Sequence, residues 1–277
     1  MEGNIIQSLS IRQLWNLYDF EWNEVHSDVN ILIGVNGSGK STFISLIKAF
    51  FENDIDFFLK MDLQSAHLQL KYTQLHYENK KITIEGDRDI PYLSIGTWDF
   101  PILHQRALRP GEKPLDAELD ATIYQREGGR FSFTDYRLQA LKGIEEYQKI
   151  TQQISSFFQH INKLFGYTNK IIEINPITNQ IQFNHQGRIV PLKYLSSGEK
   201  QILIILFKIL FMQQKAQVIL LDEPEVSMHI EWQYRLIDEI KAINPNAQLI
   251  ISSHSPSIFG NGWGDKLVYL EDLIIKK

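Results

Sequence analysis

Residues 29–51 read VNILIGVNGSGKSTFISLIKAFF: a short apolar run ending in glycine, a glycine-rich break, and a stretch whose apolar positions recur at helical spacing. A buried strand that feeds a helix through such a loop requires an α/β chain. The break fits the pattern G-x-x-x-x-G-K-[ST] from Gly34 to Ser41. Glycines at these places let successive backbone N–H groups turn toward a phosphate, and the N-terminus of the following helix adds positive potential. On this reading Asn36, Gly37, Ser38, Gly39, Lys40, Ser41 and Thr42 line a phosphate site. Lys40 contacts the β and γ phosphates and Ser41 ligates Mg²⁺. The alternative is a glycine-rich turn that merely starts a helix.

The far end of the chain supplies the rest of a sheet. AQVILLDEPE (216–225) and AQLIISSHSP (247–256) each hold a continuous apolar run that stops at polar residues, as strands buried on both faces do. Between them HIEWQYRLIDEIKAI (229–243) has helical periodicity, so the segment reads β-α-β. The expected fold is α/β with a mostly parallel central sheet, an antiparallel β part and an inserted α/β lobe. It is expected as one domain over 1–277, with 1–55 and 190–277 forming the sheet and about 60–190 the lobe. Within the lobe, 68–77 and 80–86 alternate like antiparallel strands, 115–165 is helical in texture, and KIIEIN with IQFNHQ reads as a hairpin. At the ends of the apolar runs, Asp222 is placed to hold Mg²⁺, Glu223 to orient or deprotonate a water, and His254 to face the ligand. A solvated strand end and a structural histidine are the plainer readings of the same residues.

KYLSSGEKQILIIL (193–206) holds a capping box, Ser196-x-x-Glu199, ahead of an apolar helix. A cap of this kind leaves the Ser197 and Gly198 amides at a helix N-terminus, itself an anion site. LSSGEK also resembles the LSGGQ loop of ABC-type ATPases. The order phosphate loop, LSSGEK, VILLDEPE, SSH matches the motif order of that family. ILIGVNGSGKST and DEPEVSMHIEWQ are similar to the SMC, RecF and OLD-like branch, with Ile230 standing where a proline is expected after His229.

The resemblance implies ATP and Mg²⁺ as ligands, slow ATP hydrolysis, and a homodimer in which Ser197, Gly198 and Glu199 of one copy touch the nucleotide of the other. It implies a γ-phosphate-sensing role for His254 and a D-loop position for His229. It also implies a glutamine on Mg²⁺, for which Gln105 is the candidate beside an ordinary loop glutamine, and an adenine-stacking aromatic among Tyr18, Phe20 and Trp22. Small ATPases of this build resemble those of anti-phage operons of the PARIS and Septu-like kind, so a separate effector, a nuclease or toxin, is expected as partner. A DNA-repair or DNA-clamp ATPase of RecF or SMC type and the nucleotide-binding subunit of a transporter are the alternatives.

Composition narrows the setting. A net charge of −5 gives nucleic-acid binding no bulk support, and the basic loop with Arg106, Arg109 and Lys113 reads first as a solvated surface and second as a contact for nucleic acid or a partner's acidic face. The chain has no cysteine, which removes thiol catalysis and disulfides. Its most apolar run, 202–212, is interrupted by Lys208 and is well short of the ~20 residues that span a bilayer. With no signal-like N-terminus, the expectation is a cytoplasmic protein without a membrane partner.

Overall fold

A computed structural model gives the structure of the chain and describes residues 3–96, 107–125, 132–212 and 218–275. It divides into two compact units, one built from 1–97, 214–225 and 245–277, the other from 98–213 and 226–244.

The first unit holds two five-stranded sheets. One is parallel throughout, in the order Leu267–Tyr269, Val29–Ile33, Gln248–Ser252, Val218–Asp222, Tyr92–Gly96. Its central strand is buried at every residue and Val218–Asp222 at its first four, which is why both read as unbroken apolar runs. Because the strands are parallel, the segments that follow 29–33, 218–222 and 248–252 all leave from one edge.

The other sheet is antiparallel, in the order Tyr18–Trp22, Ile6–Leu14, Ser65–Leu70, Thr73–Glu78, Lys81–Gly86. Its inner strands alternate: Ala66, Leu68 and Leu70 point into the core, and so do Leu75 and Tyr77. The helix Lys40–Glu52 buries Phe43, Leu46, Ile47 and Phe50 in a core shared with Leu9, Ile11 and Leu68 of the antiparallel sheet and Leu32, Leu220 and Ile250 of the parallel one. Each such side chain contributes about 1.5–3 kcal/mol when taken fully from water. The two sheets are also tied by Gln248, whose buried amide accepts from Ile6 N at 2.8 Å and donates to Ile6 O and His26 O, each at 2.9 Å.

Among the described residues of the second unit, the α-helices Pro114–Tyr124, Phe133–Leu138, Ile144–Phe165, Ser197–Phe211 and Ile230–Ile243 accompany a three-stranded antiparallel sheet. The expected hairpin is present as Lys170–Ile174 and Ile181–His185, and Arg188–Pro191 adds a third strand. The helix Ser197–Phe211 is buried around nearly its whole circumference, so each charge on it is paired. Lys208 meets Glu118 at 2.6 Å, Lys200 meets Asp116, and Glu199 meets Lys170 at 2.5 Å. Trp232 of the last helix donates from Nε1 to Leu164 O at 2.8 Å and stacks its ring on Phe165.

This division distributes the elements differently from the boundaries expected from sequence. The strands Ser65–Leu70 and Thr73–Glu78 share a core with the phosphate-loop helix, because Ser65–Leu70 pairs directly with Ile6–Leu14. The helix Ser197–Phe211 belongs instead with the helical unit. Among the described residues no helix is long and apolar enough to cross a membrane.

Candidate nucleotide-binding and hydrolysis site

In the first unit, the strand Val29–Ile33 ends at Gly34 and the helix begins at Lys40. Gly37 and Gly39 adopt φ of +82° and +101°, left-handed conformations open to glycine and strained for other residues. The Lys40 side chain is buried and its Nζ donates to the loop's own carbonyls, Gly34 O at 3.1 Å and Val35 O at 3.2 Å. Burial lowers the pKa of this ammonium below the usual lysine range, and the carboxylates of Glu223, Glu271, Asp222 and Glu225 oppose that shift. Asn36 is exposed at the loop tip, and Val35 N–H donates to Glu271 Oε1 at 3.2 Å.

The edge of the parallel sheet brings the acidic residues to this loop. Ser41 Oγ donates to Asp222 Oδ1 at 2.9 Å, and Ser252 Oγ donates to the same oxygen. A hydroxyl beside a carboxylate oxygen is a donor set for a hard cation such as Mg²⁺, which keeps several waters and takes phosphate oxygens to complete its octahedron. Consistent with that partial protein ligation, no group of three or more acidic or histidine side chains among the described residues could hold a metal alone.

Glu223 has φ of +48°, rare for a residue with a side chain, and its N–H is held by Ser252 O at 3.1 Å and Ser252 Oγ at 3.2 Å. His254 Nε2 lies 3.3 Å from Glu223 Oε1. Lysine, hydroxyl, two carboxylates and imidazole thus gather where three parallel strands end.

The second unit holds the other motif. Ser196 N–H donates to Glu199 Oε2 at 2.8 Å and Ser196 Oγ accepts from Glu199 N–H at 3.2 Å, the reciprocal pair expected from sequence. Ser197 is exposed, and its amide and that of Gly198 have no acceptor within the helix. A side chain on Gly198 would meet Ser227 O at 2.3 Å, so the glycine permits close approach of the segment that precedes helix Ile230–Ile243. His229 caps that helix by accepting from Glu231 N–H at 3.3 Å, and Ile230 takes the first helical position. Proline is favoured there but not required, which accounts for the substitution.

Residues 148–260 match a family model described as AAA domain, putative AbiEii toxin, Type IV TA system. The Septu protein PtuA of Bacillus thuringiensis is 22% identical over 288 residues, covering 91% of this chain and 72% of that protein. The SMC head domain from Thermotoga maritima superposes with a TM-score of 0.55 at 18% identity, over 94% of this chain and 92% of that one. An SMC head bound to the C-winged helix domain of ScpA gives 0.58 at 13% identity, over 92% of each chain. The chain shares the fold of SMC head domains.

Several site residues expected from sequence take other places. Phe20 and Trp22 are each 2% exposed and belong to the core, so neither is open to an adenine ring. Trp15, at the turn between Ile6–Leu14 and Tyr18–Trp22, is the aromatic that reaches the phosphate loop: a Cβ on Gly39 would lie 3.4 Å from its ring. Trp15 is 37% exposed and Tyr18 41%. Glu199 is buried, with both its N–H and its carboxylate spent on Ser196 and Lys170. Burial pushes its pKa up, but the Lys170 ammonium and the Ser196 N–H outweigh this and leave it below 4.5. Its carboxylate braces the loop from within and is not presented to a neighbour's nucleotide. Gln105 and Arg106 lie outside the described residues, and Arg109 and Lys113 are exposed. Ser252, Glu225 and Glu271 were not singled out by sequence; the one signal was the second glutamate of DEPE, Glu225.

Proposed function

We propose that this chain is an ATPase switch subunit that works as a head-to-tail pair. The phosphate loop of each copy, with Asp222, Glu223 and His254, closes on Mg·ATP against Ser197 and Gly198 of the other copy, and the ATP state gates a separate effector protein. The observation that carries this reading is the capped end of helix Ser197–Phe211. Glu199 is consumed internally while two amide donors remain at an exposed helix terminus. A helix cap needs no more than Ser196 and Glu199; Ser197 beyond it is exposed and, with the Gly198 amide behind it, suits an incoming anion. The similarity to a Septu protein supports a place in antiviral defence, with a nuclease or toxin as the effector.

Chemically, Lys40 exchanges the Gly34 and Val35 carbonyls for phosphate oxygens, and the backbone of 36–42 wraps the anion. Ser41 and Asp222 would hold a Mg²⁺, which when bound would supply charge neutralisation to the phosphates. Glu223 Oε1 accepts a proton from the attacking water, and His254 Nε2, beside that oxygen, donates toward the γ-phosphate. Trp15 offers the adenine a face.

Subunit mixing tests the composite site. Ser197→Arg should block hydrolysis while leaving the cap intact, and Lys40→Ala should abolish ATP binding. Each must be folded and inactive alone. Mixed in equal amounts, they form heterodimers in which both lesions fall on one pocket and the other is whole; random pairing makes about half of the dimers mixed, each with one working pocket of two, so activity should return to about a quarter of wild type. Wild-type hydrolysis by Ser197→Arg alone would refute the shared pocket and leave the stretch as a helix cap.

A further inference from the structure

Glu225 takes no part in the hydrolysis described above, yet it is only 8% exposed and faces the site. Its Oε1 accepts from Ser253 Oγ at 2.6 Å and from the His254 backbone N–H at 2.9 Å. Ser253 Oγ in turn accepts from Ser255 N–H at 3.0 Å, so one carboxylate oxygen organises three consecutive residues. Oε2 is buried without a hydrogen-bond partner. Burying a carboxylate is costly, and an unsatisfied oxygen on it adds to that cost.

Two roles could compensate: support for the buried Lys40 ammonium, or control of the turn that carries His254. Of the four carboxylates acting on Lys40, Glu225 has the least effect, and both of its hydrogen bonds go to the turn. The turn is also tied by the Glu223 N–H on Ser252, by Ser252 Oγ on Asp222 and by the Ser253 N–H on Leu32 O at 3.2 Å. Residues 252–254 are therefore gripped from the acidic segment at both ends, by Glu223 and by Glu225. That grip sets the 3.3 Å separation of His254 Nε2 and Glu223 Oε1.

We infer that Glu225 is a positioning residue for hydrolysis, holding the His254 turn in register with Glu223. The inference rests on the roles proposed for those two residues. A misplacement of about 1 Å at a reacting group costs on the order of a hundredfold in rate.

The test compares Glu225→Ala, Glu225→Gln, His254→Ala and the Glu225→Ala/His254→Ala double variant by steady-state ATP hydrolysis. Hydrogen–deuterium exchange over 250–258 is measured in parallel. Glu225→Ala should lower kcat about ten- to a hundredfold with KM within about threefold, and the His254 amide should exchange faster. Glu225→Gln keeps the Oε1 acceptor without the charge and should recover to within about fivefold of wild type with exchange unchanged. The double variant should be no slower than His254→Ala, since the two act as a unit. Should Glu225→Ala not fold, Glu225→Asp, whose shorter side chain cannot span the same bonds, replaces it. A loss confined to KM, Glu225→Gln as slow as Glu225→Ala, or full additivity with His254→Ala would overturn the inference. If the wild-type chain hydrolysed no ATP, the hydrolysis reading would fall on its own, and unchanged exchange in Glu225→Ala would still sink the anchoring.

Discussion

Gly198→Ala is the substitution for which the structure dictates the sharpest outcome. A methyl at this position would sit 2.3 Å from Ser227 O, 3.2 Å from Ser227 C and 3.3 Å from Met228 Cα. The first gap is about 1 Å short of ordinary contact, and the obstacle is backbone, which cannot rotate away as a side-chain tip can. Overpacking of this kind costs about 1–3 kcal/mol. Against it stands the gain from replacing glycine with alanine in a helix-compatible conformation, about 0.4–1 kcal/mol. The net is a loss of about 1–2 kcal/mol, or roughly 2–8 °C in Tm for a chain of this size. Gly166, with φ of −54° and nothing near its would-be Cβ, is the control in the same unit: alanine there should leave Tm unchanged or raise it. Thermal melts of the three proteins read this directly. A Gly198→Ala protein that melts at or above wild type while Gly166→Ala behaves as expected would refute the close approach of 227–228 to the helix. If the variant folds and the segment has moved aside, hydrolysis in the two-copy pocket should drop at least about tenfold, because the Gly198 amide is one of its donors.

Trp15→Ala should weaken binding of a fluorescent ATP analogue by about 1–3 kcal/mol, the usual value of stacking a base on an aromatic ring. Unchanged affinity, with the loss appearing in Tyr18→Ala instead, would move the adenine platform. Acid should expose the Glu199 brace. Its folded pKa lies below 4.5, so its stabilisation is complete above that value and is lost as pH falls through the folded pKa. Urea midpoints should therefore decline in that window for wild type and more shallowly for Glu199→Gln, which starts lower; parallel acid limbs would dismiss the brace.

The phosphate loop, the DE pair and the order of motifs were legible because each is local: backbone wrapping and strand ends are written within a few residues. The unit boundaries were not, since the pairing of Ile6–Leu14 with Ser65–Leu70 joins distant segments that alternate alike. For the aromatic, the sequence held more than was taken from it. Phe20 and Trp22 share one face of a strand whose other face carries Asp19 and Glu21, so their parity already pointed inward, while Tyr18 at the strand's first position stays exposed. Trp15 escaped because it stands outside that alternation, at a turn with φ of +54°. Glu199 was misassigned for a different reason: a capping box fixes where its backbone lies, but the Lys170 that claims its carboxylate comes from the distant strand Lys170–Ile174.

The strand that carries the phosphate loop has as its two neighbours Gln248–Ser252 and Leu267–Tyr269. On the ribosome, then, the loop emerges early and waits. Ile6 and its partner Gln248 are 242 positions apart, an interval of roughly ten to fifty seconds at ordinary elongation rates. Until that interval has passed the loop lacks a sheet to be mounted on, and nucleotide cannot reward it. A copy cut short before residue 248 would carry the complete GVNGSGKS without either strand that flanks its own, and should bind ATP far more weakly than the full chain.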